Sequence, residues 1–221
     1  MPASLTLLFA AVYLLLCNWF HIKSFLIALR HPKRRIHFIR DPWITQTLLR
    51  KTGVTIDQIT IFETPKLFAM MPSTPPFETK MIISRGMYES FNENELEWVI
   101  LHEAGHYVMW HVVKLAMVQL VLLVIGVYAL IVSQSILIGA GLLAVLVFLY
   151  IQFSKHLEYA ADKYSIARVD NPQGVITAQK KLINSHHINE KSLMTILLRS
   201  GTLPSQRIAL CKRLLSQRER K

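Results

Sequence analysis

The sequence predicts a mainly helical α+β integral membrane protein in which apolar helices carry a small β-containing domain, and three observations predict it. Hydrophobic residues make up 52% of the 221 positions and mean hydropathy is +0.33, yet the formal charge is +11. The two properties separate along the chain: residues 1–22 hold no charged side chain, 23–50 hold seven Lys/Arg against one acid, 51–112 hold four against eight, and 154–221 hold thirteen against five. Between 113 and 153 Lys114 is the only charge. The apolar content excludes intrinsic disorder, and 8 Gly and 2 Cys exclude collagen-like and disulfide-rich secreted classes. The divisions expected are an N-terminal transmembrane anchor (1–22), a basic juxtamembrane segment (23–50), the first half of a folded domain (51–112), a transmembrane helical hairpin (113–153) and the second half of that domain with a basic tail (154–221).

Leu5–Phe20 runs 16 residues with only Asn18 strongly polar. It lacks a basic n-region and an A-x-A-like cleavage site and is followed by Lys/Arg, which favours a retained anchor over a cleaved signal peptide. Lys23, Arg30, Lys33, Arg34, Arg35 and Arg40 follow it, and positive charge of this kind marks the cytoplasmic side. Gln58–Phe62, Lys66–Met70 and Lys80–Ser84 have strand character, the last two flanking the turn-rich Pro72-Ser73-Thr74-Pro75-Pro76. Asn92 opens a helix as N-cap, Glu95 completes a capping-box pattern, and Glu93 and Glu97 suit the positive helix end. Leu115–Val132 and Ile136–Phe153 run 18 residues each, near the lower limit for a span, and are joined by Ser133-Gln134-Ser135. A hairpin this tight returns the chain to the side it left. Residues 21–112 and 154–221 are therefore expected to share the cytoplasm, with Met1 and Ser133–Ser135 opposite. Cys17 and Cys211 have no paired or metal-type spacing.

His102-Glu103-Ala104-Gly105-His106 is an H-E-x-x-H motif. At about 100° per residue, positions four apart lie only about 40° from each other on a helix, so both imidazoles reach one ion. One zinc per chain is the cofactor this spacing predicts. Glu103, beside the first ligand, is placed to take a proton from a zinc-bound water and pass it to the leaving amine. His111 lies about 140° around the same helix from His106, which favours an interfacial or supporting place over ligation.

Two histidines leave zinc short of a protein ligand. Glu158 and Asp162, the first carboxylates after the hairpin, are four apart and share one helical face. The hairpin would bring that face beside His106, with Glu158 ligating zinc and Asp162 accepting a hydrogen bond from a liganding imidazole or a neighbouring group. The competing reading is a solvated face in which Glu158 pairs with Lys155.

H-E-x-x-H on a helix, a membrane hairpin and then E-x-x-x-D resembles the HtpX and type I CAAX prenyl endopeptidases, a gluzincin group of integral-membrane zinc metallopeptidases. The resemblance covers roughly residues 50–215. It implies a zincin-like domain with the hairpin inserted between its two zinc-binding helices. Ile82-Ile83-Ser84-Arg85-Gly86-Met87 is similar to the strand and turn before the family's catalytic helix. Leu67-Phe68-Ala69-Met70 is similar to its edge strand, where substrate backbone pairs. Thr202-Leu203-Pro204-Ser205-Gln206-Arg207-Ile208 resembles its T-H-P…R-I segment, which implies that Arg207 orients the Glu158/Asp162 helix. Leu203 stands where many members carry His, so an oxyanion role of that His is vacant here or has moved to His186 or His187.

The resemblance implies an endopeptidase acting on membrane or membrane-proximal proteins, as in membrane protein quality control, or on a prenylated peptide, in a prokaryotic cytoplasmic membrane; the positive charge after the first span puts its site on the cytoplasmic side. An AAA protease would need a G-x-x-x-x-G-K-[ST] loop, which is missing. An intramembrane site-2-type protease would place the motif inside a span, against the polar Asn92-Glu93-Asn94-Glu95 start of this helix, and Asp170-Asn171-Pro172-Gln173-Gly174 only faintly echoes its aspartate segment. A BlaR-type signal transducer would need a sensor domain with no room here. Lys191, Arg199, Lys212, Arg213, Arg218, Arg220 and Lys221 come without a nucleic-acid motif or aromatic interleaving, so anionic lipid headgroups are the expected partner rather than nucleic acid. The sequence carries no mark of an oligomeric state.

Overall fold

A computed structural model describes residues 3–18, 36–186, 190, 192–199 and 201–218. In chain order the elements are α1 (Ala3–Cys17), β1 (Ile36–Ile39), α2 (Pro42–Thr52), β2 (Ile59–Phe62), β3 (Ala69–Met70), β4 (Met81–Ser84), α3 (Arg85–Ser90), α4 (Glu93–Val108), α5 (His111–Ser133), α6 (Ile136–Ile166), α7 (Gln173–His186), α8 (Leu193–Leu198) and α9 (Pro204–Arg218). The chain divides into two compact units, Met1–Lys33 with Val113–Lys155 and Arg34–Val112 with His156–Lys221.

The first unit is helical. Among the described residues α5 and α6, 23 and 31 residues long, are the two helices long and apolar enough to cross a membrane; α1 is apolar but shorter. Phe9, Tyr13, Leu130 and Leu146 make its small core, while Tyr128 and Leu137 stand 70% and 83% exposed. Apolar side chains facing outward suit hydrocarbon as the surrounding solvent. A Cβ on Gly126 would come within 2.6 Å of Leu146 and 2.9 Å of the Phe9 ring, so this glycine allows the helices to close on one another.

In the second unit a four-stranded sheet has the order β1-β2-β4-β3. β2 and β4 run parallel with Ile59 opposite Met81, while β1 and β3 pair antiparallel at the two edges. Of the expected strand Lys66–Met70, only Ala69–Met70 pairs as a strand, because the Lys66 and Phe68 backbone N–H groups turn to the hydroxyls of Thr64 and Ser84. β1 and α2 fall in the segment read as basic juxtamembrane, where no element was expected. The signals for α2 are nonetheless in the sequence. Asp41 caps it by accepting from the Trp43 and Ile44 N–H groups, Pro42 fits its first turn, and Gly53 ends it in the left-handed region at φ 73°. The basic stretch with Lys23, Arg30, Lys33, Arg34 and Arg35 lies outside the described residues.

Helix α4 is the centre of this unit, packed against α2, α7 and β3. Asn92 and Glu95 form the capping box, at 3.0 and 2.9 Å. Residues from Glu95 to Gly105 are buried except Glu103, so the two inward carboxylates need partners: Lys51 reaches Glu97 at 2.5 Å and Lys181 reaches Glu95 at 2.6 Å. A Cβ on Gly174 would meet the Asn94 carbonyl at 2.4 Å, so glycine there lets α7 lie directly on α4. The helix does not run on into α5 as the angular argument for His111 assumed. It stops at Val108, and Trp110 at φ 58° turns a corner before His111 starts α5.

Candidate metal centre

Helix α4 puts His102 and His106 one turn apart with their Nε2 atoms 3.2 Å from each other. Helix α6 brings Glu158 to the same point, Oε2 3.5 Å from His102 Nε2 and Oε1 3.3 Å from His106 Nε2. Among the described residues these three form a group whose donor atoms all lie within 4.8 Å of one another. Donors of a tetrahedral zinc at about 2.0–2.1 Å stand about 3.3 Å apart, so the spacing and the N, N, O donor set fit that ion.

The charge balance fits as well. Burial works against ionised Glu158, yet a hydrogen bond from His102 and the charges of His102, His106 and Arg207 hold its carboxyl down at about 2. Asp162 is likewise held below its ordinary value in spite of burial, chiefly by Arg207. Burial also opposes a proton on His102, but Asp162 outweighs it and lifts the imidazole to about 10, while burial and that neighbouring charge push His106 down to about 3. Two carboxylates thus face one permanent cation, Arg207, and a divalent ion would take the place of the proton that His102 otherwise holds.

Asp162 is fully buried and links the site to the C-terminal segment. Its Oδ1 lies 3.0 Å from His102 Nδ1, an ion-pair distance, although among the described residues neither atom makes a hydrogen bond. Its Oδ2 accepts from Arg207 Nε at 2.8 Å and from the Thr202 hydroxyl. Arg207 also donates to Glu158 Oε2 at 3.1 Å, and its guanidinium lies over the Trp98 ring at 5.6 Å. The Thr202 contact was not foreseen, because 40 residues separate it from Asp162 and no spacing rule joins them.

Glu103 is half-buried beside the cluster. Burial pushes its carboxyl up to about 7, against the pull of His102 and a hydrogen bond from the backbone of Met71. Met71 follows β3, so the edge strand ends at this carboxylate. Leu67 and Phe68 lead into the strand, Ala69 and Met70 form it, and Met70 is 42% exposed. Tyr107 hydrogen-bonds the Phe77 carbonyl at 2.9 Å, tying the loop after β3 to the motif helix. His111, read as an interfacial or supporting residue rather than a ligand, places Nδ1 2.9 Å from His106 Nδ1, a contact that the break in the helix between them makes possible. Asp170 is not brought into the cluster but pairs with Lys51 at 2.6 Å and Arg50 at 3.5 Å. Leu203 takes no part in the cluster; the His186 side chain and His187 lie outside the described residues.

A family model described as Peptidase family M48 matches residues 44–216. The chain is 29% identical over 170 residues to a Protease HtpX homolog of Streptococcus equi subsp. equi, covering 64% of this chain and 57% of that protein. To Protease HtpX of Acinetobacter baylyi it is 27% identical over 168 residues, covering 64% and 56%. With Protease HtpX of Pseudomonas fluorescens the match is 29% over 82 residues, 36% of this chain and 28% of that protein. The chain thus spans little more than half the length of these relatives at most. Among solved structures, the crystal structure of S. mikatae Ste24p superposes with a TM-score of 0.63 at 19% identity, covering 92% of this chain and 56% of that one, which supports the fold. The chain belongs to peptidase family M48.

Proposed function

We propose that this chain is a zinc-dependent membrane endopeptidase that hydrolyses peptide bonds of membrane or membrane-proximal proteins from the cytoplasmic side of a prokaryotic membrane. The observation that carries the reading is the meeting of His102, His106 and Glu158 with Glu103 beside them. His102, His106 and Glu158 would hold one zinc ion. When bound, zinc supplies a Lewis acid that makes water a better nucleophile and polarises the scissile carbonyl. Glu103 takes the proton of the attacking water and returns it to the departing amine; a carboxyl raised to about 7 is matched to both halves of that transfer near neutral pH. Asp162 and Arg207 hold His102 and Glu158 in place. The substrate backbone pairs along Leu67–Met70, whose outer edge ends the sheet, so side-chain selectivity from this contact is low.

The HtpX names of the relatives, two spanning-length apolar helices and the positive charge after the first apolar helix support a membrane protein with α1 as anchor, α5–α6 as hairpin and the basic segments against anionic headgroups. Work in membrane protein quality control is the role we propose for it there. The test is Glu103→Gln, which preserves size but cannot accept a proton. Zinc content should stay at one per chain while casein or membrane-substrate hydrolysis falls about 100-fold or more. Undiminished hydrolysis would reject the proteolytic reading.

A further inference from the structure

We propose that His111 is a positioning residue for His106: its Nδ1 accepts the hydrogen bond of His106 Nδ1–H and so holds the His106 ring with Nε2 turned to the metal. The inference rests on the zinc reading above and adds a residue to it.

The argument starts from proton count. His106 Nε2 is one of the three converging donors, 3.2 Å from His102 Nε2 and 3.3 Å from Glu158 Oε1. A neutral imidazole that gives Nε2 to an ion carries its proton on Nδ1. That nitrogen is 2.9 Å from His111 Nδ1, and two ring nitrogens at this distance share one proton. His111 Nδ1 is therefore the acceptor, and the proton of His111 sits on its Nε2. The rings meet edge to face, centroids 4.9 Å apart at 80°, and His111 is only 3% exposed, so bulk water competes poorly for the contact.

A regular helix would not make this pair, since residues five apart point about 140° away from each other. It exists because α4 ends at Val108 and Trp110 takes φ 58°, in a left-handed region that bulky side chains rarely enter. The corner is hydrogen-bonded, with the Met109 and Trp110 N–H groups donating to the Gly105 and Tyr107 carbonyls at 3.0 and 3.1 Å. A backbone departure of this kind, ending with one imidazole against another, is what holding His106 requires. The two histidines of the motif are thus supported unequally: His102 faces the Asp162 carboxylate and His106 a neutral ring. Support at the second nitrogen fixes the tautomer and raises ligand basicity.

The experiment uses the full chain in detergent and measures zinc affinity by chelator competition for wild type, His111→Phe and His111→Gln. Phe fills the space without an acceptor, and Gln offers an acceptor oxygen. His111→Phe should weaken zinc about 10–100-fold, with His111→Gln recovering most of the loss. Wild-type affinity in His111→Phe, or equal loss in both variants, overturns the inference. A wild type that binds no zinc removes the metal reading itself and with it this one. Because a variant can fail by misfolding, zinc-loaded wild type labelled with ¹⁵N-histidine gives a second reading. A proton on His106 Nδ1 coupled across the hydrogen bond to His111 Nδ1 is expected, and a proton on His111 Nδ1 overturns the assignment.

Discussion

Asp162 Oδ1 stands 3.0 Å from His102 Nδ1 and so ties α6 to α4, the helix of the H-E-x-x-H motif. The same carboxylate receives Arg207 Nε at 2.8 Å, and one buried group thereby holds three segments far apart in sequence. Loss of it would leave Arg207 and His102 without their shared anion. Asp162→Ala should therefore weaken zinc retention about 10–100-fold without eliminating it, as read by zinc per chain after dialysis against graded chelator. Unchanged retention would reject the supporting role.

The legible part of this unit was the part governed by local rules. Asn92 and Glu95 announce the start of the motif helix because capping is a matter of residues three apart, and His102 and His106 converge because four residues make about one turn. β1 and α2 escaped because positive charge from Lys23 to Arg40 reads as juxtamembrane, although Asp41-Pro42 and Gly53 mark the ends of a helix. His111 was legible as a supporting residue rather than a ligand, but its contact with His106 was not, because the angular argument needs an unbroken helix and the corner at Trp110 is set by the fold. The place of Arg207 beside Glu158 and Asp162 was legible only through the family resemblance, and the contact of Thr202 with Asp162 depends on tertiary packing that no spacing encodes.

Glu95 is buried within the motif helix and pairs with Lys181 at 2.6 Å. Burial alone would raise its pKa, but Lys181 and the Asn92 backbone outweigh burial and leave it below the ordinary value. A depressed folded-state pKa contributes stability that is present above the unfolded value of about 4.3 and is lost as pH falls through the folded one. Glu95→Gln should cost about 1–2 kcal/mol near neutrality, less than a fully buried pair because Lys181 is 40% exposed. Thermal unfolding of both proteins across pH checks this: the gap should close below about pH 4. A gap independent of pH would assign the effect to packing.

Topology gives a separate expectation. With positive charge after the first apolar helix and an uncharged turn in the hairpin, residues 57 and 190 should be labelled from the same side of the membrane and residue 134 from the other. Single-cysteine accessibility in a background without Cys17 and Cys211 measures this. Labelling of 57 and 190 from opposite sides would refute the hairpin.

The claim on which the rest depends is that Glu158 completes a zinc site with the two motif histidines. Zinc per chain in purified wild type and Glu158→Ala, with monodisperse elution as the check on folding, tests it most directly. A carboxylate within 3.5 Å of both Nε2 atoms supplies a direct bond and a negative charge, so wild type should hold one zinc and Glu158→Ala close to none. Full zinc occupancy in a folded Glu158→Ala would contradict the account.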